Sequence, residues 1–493
     1  MTHGQPKHRS TLQLKPPVQR GLKTIDPNTK NDLFTTTLQC KGIRVSAPET
    51  TTFLRGPLSK KVLWLPRVTP VISDPSSSQH RIVLLKDEAP DSDELQQVLK
   101  DRQDSRIVEH VINLDYDYWT ADQILQSILP EDLLDESPTS FTQVGHIAHL
   151  NLRDEYLPYR HLIGQVILDK NKQIKTVVNK LDTIDNEFRF FKMEVLAGVE
   201  DFKVQTAESG CTFTFDFSKV YWNSRLSTEH GRLVDSFTSN DVVCDAFAGV
   251  GPFAVPAGKK GCAVIASDLN PESAKALDEN VRINKVHENV RTGNADGRDW
   301  IRQSVLDVWR QPFGAYQKPL TVKEQKRLQR QKNEAKRIAA EQQQVDTNET
   351  TAAVSKPQQD STTLEGDSTN AIEAGEPRQF IDHFVMNLPA SAIEFLDAYR
   401  GLYLPLYETD PEAKLAVEAR GYDKLPMVHC YCFTKDVEHA EQDICERATK
   451  ALGLPVSAQL PDFQLRFVRD VAPKKEMYCL EFRLTKEVVE WQA

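Results

Sequence analysis

Four polar residues stand where short apolar runs end: Asp245 after VVC, Asp268 after AVIAS, Asp296 after VRTGNA and Asn387 after HFVM. Each run is β-prone and is followed by helix-compatible sequence, which puts each polar residue at the carboxyl end of a strand. Ligands of open parallel sheets bind outside those ends. There Asp268 can accept both hydroxyls of a ribose, and Asp296 is placed to accept from an adenine amino group. Asn387-Leu388-Pro389 ends the fourth run at the same rim. One such acid alone is more often a helix N-cap. Four in consecutive order read as a ligand site.

Between the first two lies Asp245-Ala-Phe247-Ala-Gly249-Val-Gly251-Pro-Phe253-Ala254. Its glycines fit the GxGxxA turn of dinucleotide-binding sheets, with Asp268 seventeen residues past Gly251. They also fit a plain tight turn. The acid four residues before the first glycine, with Phe247 between, separates the alternatives: it suits a cationic amino acid joined to an adenosine, and a dehydrogenase has no use for it. Upstream runs Tyr221-Trp-Asn-Ser-Arg225-Leu-Ser-Thr-Glu229-His230-Gly-Arg232. Spacing alone favours the plainer reading here, with Ser227 or Thr228 capping a helix and the arginines facing solvent.

From Asp241 onward, strand-then-helix units repeat, which predicts a doubly wound parallel sheet in an α/β domain. DFQLRFVRDV and MYCLEFRL, separated by Pro473 and two lysines, close it as an antiparallel hairpin. Upstream, short strands and helices predict smaller α+β domains, including a helix from Ala121 with Thr120 and Gln123 as a capping box.

The chain has 493 residues and a formal net charge of -10, which by itself argues against a polyanionic partner. The charge is not uniform. Residues 1–86 carry +10 and 87–136 carry -12; 318–337 carry +6 and 338–376 carry -7. The last two stretches are poor in large apolar residues, so 316–377 is expected to be a charged helix followed by a disordered insertion. Eight scattered cysteines read as reduced core thiols without zinc spacing. No run is long enough to span a membrane. The first 25 residues hold five basic and no acidic residues, the composition of a basic tail or of a targeting segment.

The segments HIAHLNLR (146–153), RFFKMEVLAG (189–198), SRLSTEHGR (224–232), DAFAGVGPF, SDLNP and NLP together resemble the archaeal and eukaryotic tRNA (guanine-37-N1)-methyltransferases. The resemblance implies a Rossmann-like fold using S-adenosylmethionine. It also implies tRNA with G37 as partner, a monomer, no metal, and members in cytoplasm, nucleus and mitochondrial matrix. It makes Glu229 the general base, Arg189 the cation that stabilises O6, and Asn387 the holder of the target base. Cofactor contacts map onto His230, Asp245, Phe247, Gly249, Gly251, Asp268, Leu269, Asp296, Gly297 and Asn387, and substrate contacts onto Tyr221, Arg225 and Pro389. His230 stands where many relatives have Arg.

The implied organisation is a disordered basic tail (1–30), an N-terminal α+β tRNA-binding domain (31–137), a linking α+β domain contributing catalytic residues (138–230) and a methyltransferase domain (231–493). The product would be the first step toward wybutosine, on cytoplasmic and mitochondrial tRNAs. Two rivals remain open at this stage: an aminocarboxypropyl transferase of wybutosine synthesis, and a noncatalytic tRNA-binding protein with this fold.

Overall fold

The computed structural model describes residues 14–102, 104–135, 138–181, 192–316 and 375–492, and between 317 and 374 only Lys323, Lys326, Arg327, Gln329, Arg330 and Asn333, which are helical. The chain forms two compact units that divide at Val204/Gln205, with 186–190 assigned to the second.

The first unit holds two four-stranded sheets. One is antiparallel, β1 (Thr36–Ser46), β2 (Val71–Asp74), β3 (Ser77–Leu85) and β4 (Arg106–Leu114), in the order β2-β3-β1-β4. The other contains β5 (Thr142–Val144), β6 (Ile147–Leu150), β7 (Thr176–Lys180) and β8 (Met193–Gly198) in sequence order. Its β6 and β7 are parallel, as the helix Arg160–Lys170 between them requires. The Thr120–Gln123 capping box starts the helix Ala121–Ile128 as expected.

All three expected boundaries differ, and 230/231 falls inside the helix Ser227–Ser236 of the second unit. One core runs from Ile25 through Trp119, Ile124 and Ile128 to Ile163, Ile167 and Leu196, so 137/138 falls inside a unit. Residues 14–30 are also part of that unit: Leu14 and Leu22 pack on the core, Ile25 is buried, and Gln19 N–H donates to the Ser127 carbonyl at 2.8 Å. Apolar residues spaced among the basic ones anchor this stretch. Of the expected tail, 1–13 lies outside the described residues.

From the divide onward, β9 (Lys203–Glu208) and β10 (Cys211–Asp216) form a hairpin, followed in the second unit by the helix Ser227–Ser236. The main sheet comprises β11 (Val242–Asp245), β12 (Ala263–Ser267), β13 (Val290–Gly293), β14 (His383–Met386), β15 (Met427–Thr434), β16 (Gln464–Ala472) and β17 (Lys475–Arg483). Their order is β13-β12-β11-β14-β15-β17-β16, parallel through β15, with β17 and β16 antiparallel. The six runs named above all form strands of this sheet, and the apolar run MVHCYCFT forms the remaining one, β15. The parallel ones are buried nearly throughout, which explains their near-continuous apolar runs.

The long excursion between β13 and β14 leaves and returns at one place. Phe313 N–H donates to the Arg378 carbonyl at 3.0 Å, and Arg378 N–H to the Phe313 carbonyl at 2.9 Å. Most of 316–377, including the expected disorder, lies outside the described residues. Among the described residues all eight cysteines are free, with no metal-binding cluster and no helix long and apolar enough to cross a membrane.

Candidate active site

Because β13, β12, β11 and β14 are parallel neighbours, their carboxyl ends share one edge, and the loops that leave them are bound together. Gly249 N–H donates to Asp268 Oδ2 at 2.8 Å, Asn270 N–H to Asp268 Oδ1 at 2.9 Å, and Asn294 Nδ2 to the Asp268 carbonyl at 2.7 Å. Each Asp268 oxygen therefore keeps a lone pair for a ribose hydroxyl. Burial raises the Asp268 carboxyl above its ordinary range. Leu269 beside it is exposed. Asp296 also caps the helix Gly297–Arg310, with Oδ1 accepting from Arg298 N–H at 2.9 Å. Gly297 packs so close under the Phe247 ring that a β-carbon there would lie 2.7 Å from it.

Asp245 is fully buried. Its Oδ1 accepts weakly from Phe247 N–H at 3.4 Å, and its Oδ2 has no partner. Burial, reinforced by the Asp268 charge and opposed by that amide, pushes its carboxyl up to about 8. A buried carboxylate oxygen without a donor is a rarity that calls for a ligand. An amino acid's ammonium group would supply both the donor and the charge. Gly249 adds access: at φ +55 it has nothing within 4 Å of where a β-carbon would be. The residues present thus fit S-adenosylmethionine.

On β14's exit, Asn387 Oδ1 is likewise buried without a partner. The Pro389 carbonyl accepts from Phe433 N–H on β15 at 2.9 Å, which ties the Asn-Leu-Pro loop to that strand. The same strand reaches Glu229. Tyr431 Oη donates to Glu229 Oε1 at 2.9 Å, while Arg232 donates from Nη2 to Oε1 at 2.7 Å and from Nε to Oε2 at 2.9 Å. Glu229 sits in the first turn of its helix, and its side chain is 11% exposed.

The ring of His230, the next residue, makes a T-shaped contact with Phe253, which also contacts Tyr431. The glycine loop and the Glu229 helix are joined through these rings. His230 Nδ1 is 2.5 Å from Glu208 Oε1, and its Nε2 is buried without a partner. Tyr221 and Arg225 are exposed just before the helix. Arg189 lies outside the described residues.

The structure therefore gathers Asp245, Phe247, Gly249, Gly251, Asp268, Leu269, Asp296, Gly297 and Asn387 at one sheet edge, and joins Glu229, His230 and Pro389 to it through Phe253 and β15. The plainer reading of the Glu229 segment is corrected: Arg232 is turned inward onto two carboxylates, Glu229 and Glu481. Glu208, Tyr431 and Glu481 were not singled out from the sequence, and Arg232 was read there only as a solvent-facing arginine. Tyr431 and Glu481 lie 202 and 249 residues from the groups they touch, and alternation along β15 and β17 shows only which face each occupies.

Comparison with known proteins identifies relatives of the chain. Residues 121–201 match the TYW2 N-terminal domain, and residues 204–309 match the TRM5/TYW2 methyltransferase domain. The chain is 45% identical over 488 residues to the tRNA (guanine(37)-N(1))-methyltransferase of Coprinopsis cinerea, covering 97% of both chains. It is 41% identical over 487 residues to that of Schizosaccharomyces pombe, covering 98% of this chain and 97% of the relative. Its fold is similar to that of Trm5b from Pyrococcus abyssi, at TM-score 0.53 and 21% identity, and to that of aTrm5 solved in complex with tRNALeu, at TM-score 0.55 and 19% identity. Both alignments cover 90% of this chain and 99% of the other.

Proposed function

The chain belongs to the tRNA (guanine(37)-N(1))-methyltransferase family, and we propose that Glu229 takes the proton from N1 of guanosine-37 while Asn387 holds the base. The reaction is S-adenosylmethionine-dependent methylation of tRNA, so neither an aminocarboxypropyl transferase nor a noncatalytic binder remains the reading of choice.

N1 of guanine carries a proton and is a poor nucleophile until it leaves, which requires a base. In the balanced step the N1–H bond breaks, with the proton going to the Glu229 carboxylate, and an N1–CH3 bond forms as the donor's S–CH3 bond breaks to a neutral thioether. The cofactor, when bound, supplies an electrophilic methyl on a sulfonium. The chain supplies the rest. Asp245 Oδ2 holds the ammonium, Asp268 the ribose, Asp296 the adenine amino group, and Phe247 and Gly297 line the adenosine. His230 stands in place of the arginine of many relatives: with Nδ1 taken up by Glu208, its buried Nε2 can donate to the methionine carboxylate only when the ring carries both protons. Asn387 Oδ1 accepts from the N–H edge of the base, with Pro389, Tyr221 and Arg225 at the rim. Arg189 is the proposed partner of the O6 charge that builds as the proton leaves.

The observation that carries this reading is the pair of partnerless buried oxygens, Asp245 Oδ2 and Asn387 Oδ1, on the exits of adjacent strands β11 and β14. Action on cytoplasmic and mitochondrial tRNAs, and the first step toward wybutosine, complete the proposal; both rest on the resemblance alone. Incubation with methyl-labelled S-adenosylmethionine and tRNA transcripts bearing G or A at position 37 tests it. Label recovered as 1-methylguanosine from the G37 transcript alone is expected. Label in the A37 transcript, or at another base atom, overturns it.

A further inference from the structure

Glu229 is held more tightly than a solvent-facing carboxylate needs. A carboxylate offers about four lone-pair sites. Oε1 uses two, for Arg232 Nη2 at 2.7 Å and Tyr431 Oη at 2.9 Å, and Oε2 uses one, for Arg232 Nε at 2.9 Å. The same Arg232 Nη2 donates to Glu481 Oε1 at 2.9 Å, so one guanidinium is divided between two carboxylates.

Glu481 is 5% exposed and well anchored. His429 Nδ1 lies 3.0 Å from its Oε1, Cys479 Sγ 3.8 Å from the same oxygen, and Arg466 Nε 3.6 Å from Oε2. Behind His429 stand His383 at 3.0 Å and then Asp241 at 3.2 Å. The strands explain why these groups meet. His429 and Tyr431 are two apart on β15 and share a face, and His429 is the register partner of Glu481 on β17. On the helix Ser227–Ser236, Glu229 and Arg232 are three apart and share a face as well.

We propose that Arg232, Tyr431 and Glu481 are positioning residues for Glu229, leaving one lone pair on Oε2 as the site that accepts the substrate proton. The proposal rests on the reading of Glu229 as the base. Arg232 alone would orient Glu229 but would also weaken it as a base, because a guanidinium at contact distance favours the charged carboxylate. Glu481 takes a share of that charge. Orientation is kept by the two Arg232 hydrogen bonds. Burial would raise the Glu481 carboxyl, but His429 and Arg232 outweigh it and hold it below the ordinary carboxylate range, which favours the ionised form.

Two isosteric changes then act in opposite directions. Glu481→Gln returns the whole Arg232 charge to Glu229, which moves the acid limb of the pH–rate profile to lower pH and slows the plateau by roughly ten- to a hundredfold through weaker proton acceptance. Tyr431→Phe removes a donor to the carboxylate and moves the acid limb to higher pH. The measurement is single-turnover methylation of G37 tRNA by the full chain from pH 5 to 9, with cofactor and tRNA affinities followed alongside and Glu229→Gln as control.

Opposite shifts of the limb, with both affinities within about twofold of wild type, support the proposal. A fall in rate with the limb unmoved in Tyr431→Phe, or both limbs moving the same way, overturns it while leaving Glu229 as the base. Wild-type rate and profile in Glu229→Gln would instead remove the base reading itself. If Glu481→Gln does not fold, the direction of the Tyr431→Phe shift decides.

Discussion

Asp245 sits in an environment far from that of a free side chain, fully buried and with Oδ2 lacking a partner. Its folded carboxyl sits near 8, raised by burial and by the Asp268 charge, against about 3.9 in an unfolded chain. The sign follows from linkage. Between those values the folded state binds the extra proton, so the group's contribution to stability is fully present below about pH 4 and fades as pH rises through 8. A bound ammonium reverses the preference. Cofactor binding below pH 8 should release close to one proton, and affinity should rise by up to about tenfold per pH unit from 6 toward 8. Calorimetry in buffers of different ionisation enthalpy reads the proton directly. In Asp245→Asn the affinity should be lower and flat with pH; an unchanged pH dependence would contradict the assignment. Asp245 was legible in the sequence because an acid closing a β-branched run is local information. Its missing partner was not, since that depends on what β12 and β14 bring alongside.

At the scale of elements, the two glycines of the loop after β11 have different duties. Gly251 has φ +98, and a β-carbon there would lie 2.8 Å from both Leu277 Cδ1 and Val255 Cγ2, inside the packing between loop and helices. Gly249 has φ +55 and open space. Gly251→Ala should therefore destabilise the fold by about 2 kcal/mol, from strained backbone plus overpacking, whereas Gly249→Ala should cost about 1 kcal/mol in stability. The larger effect of Gly249→Ala should fall on cofactor affinity. Urea unfolding together with a cofactor titration separates the two, and equal losses of stability would refute the division. The seven strands and their helices were readable because each carries its own apolar run and terminator. The bracing of the Glu229 helix was not: Arg232 with Glu481, and Glu208 with His230, are side-chain meetings created by the sheet and the hairpin. The divide at residue 204 was hidden for a similar reason, since the core that joins Ile25 to Leu196 is assembled from segments far apart in sequence.

For the whole molecule, the net charge of -10 describes no surface, because basic and acidic blocks alternate along the chain. The structure changes how this is to be tested. Removing residues 1–86 to strip the +10 block would delete β1, β2 and β3 and leave β4 unpaired in its sheet, so loss of RNA binding would report unfolding. Removing 1–13 takes away only Lys7 and Arg9, and should lower the salt slope of tRNA binding by no more than about two, with cofactor affinity unchanged. The excursion between Phe313 and Arg378 can be tested more boldly. Its ends are paired to each other, so replacing 317–374 by a short Gly/Ser linker should leave the melting temperature and cofactor affinity near wild type; collapse of either would show that the segment supports the sheet.

The central claim is that Glu229, braced beside a strand-end cofactor site, removes the N1 proton. The most direct measurement is single-turnover methylation of G37 tRNA by Glu229→Gln at saturating cofactor, with cofactor affinity measured on the same protein. The predicted result is a rate lowered by about 10²–10⁴ with affinity retained. A rate within a few-fold of wild type would contradict the account.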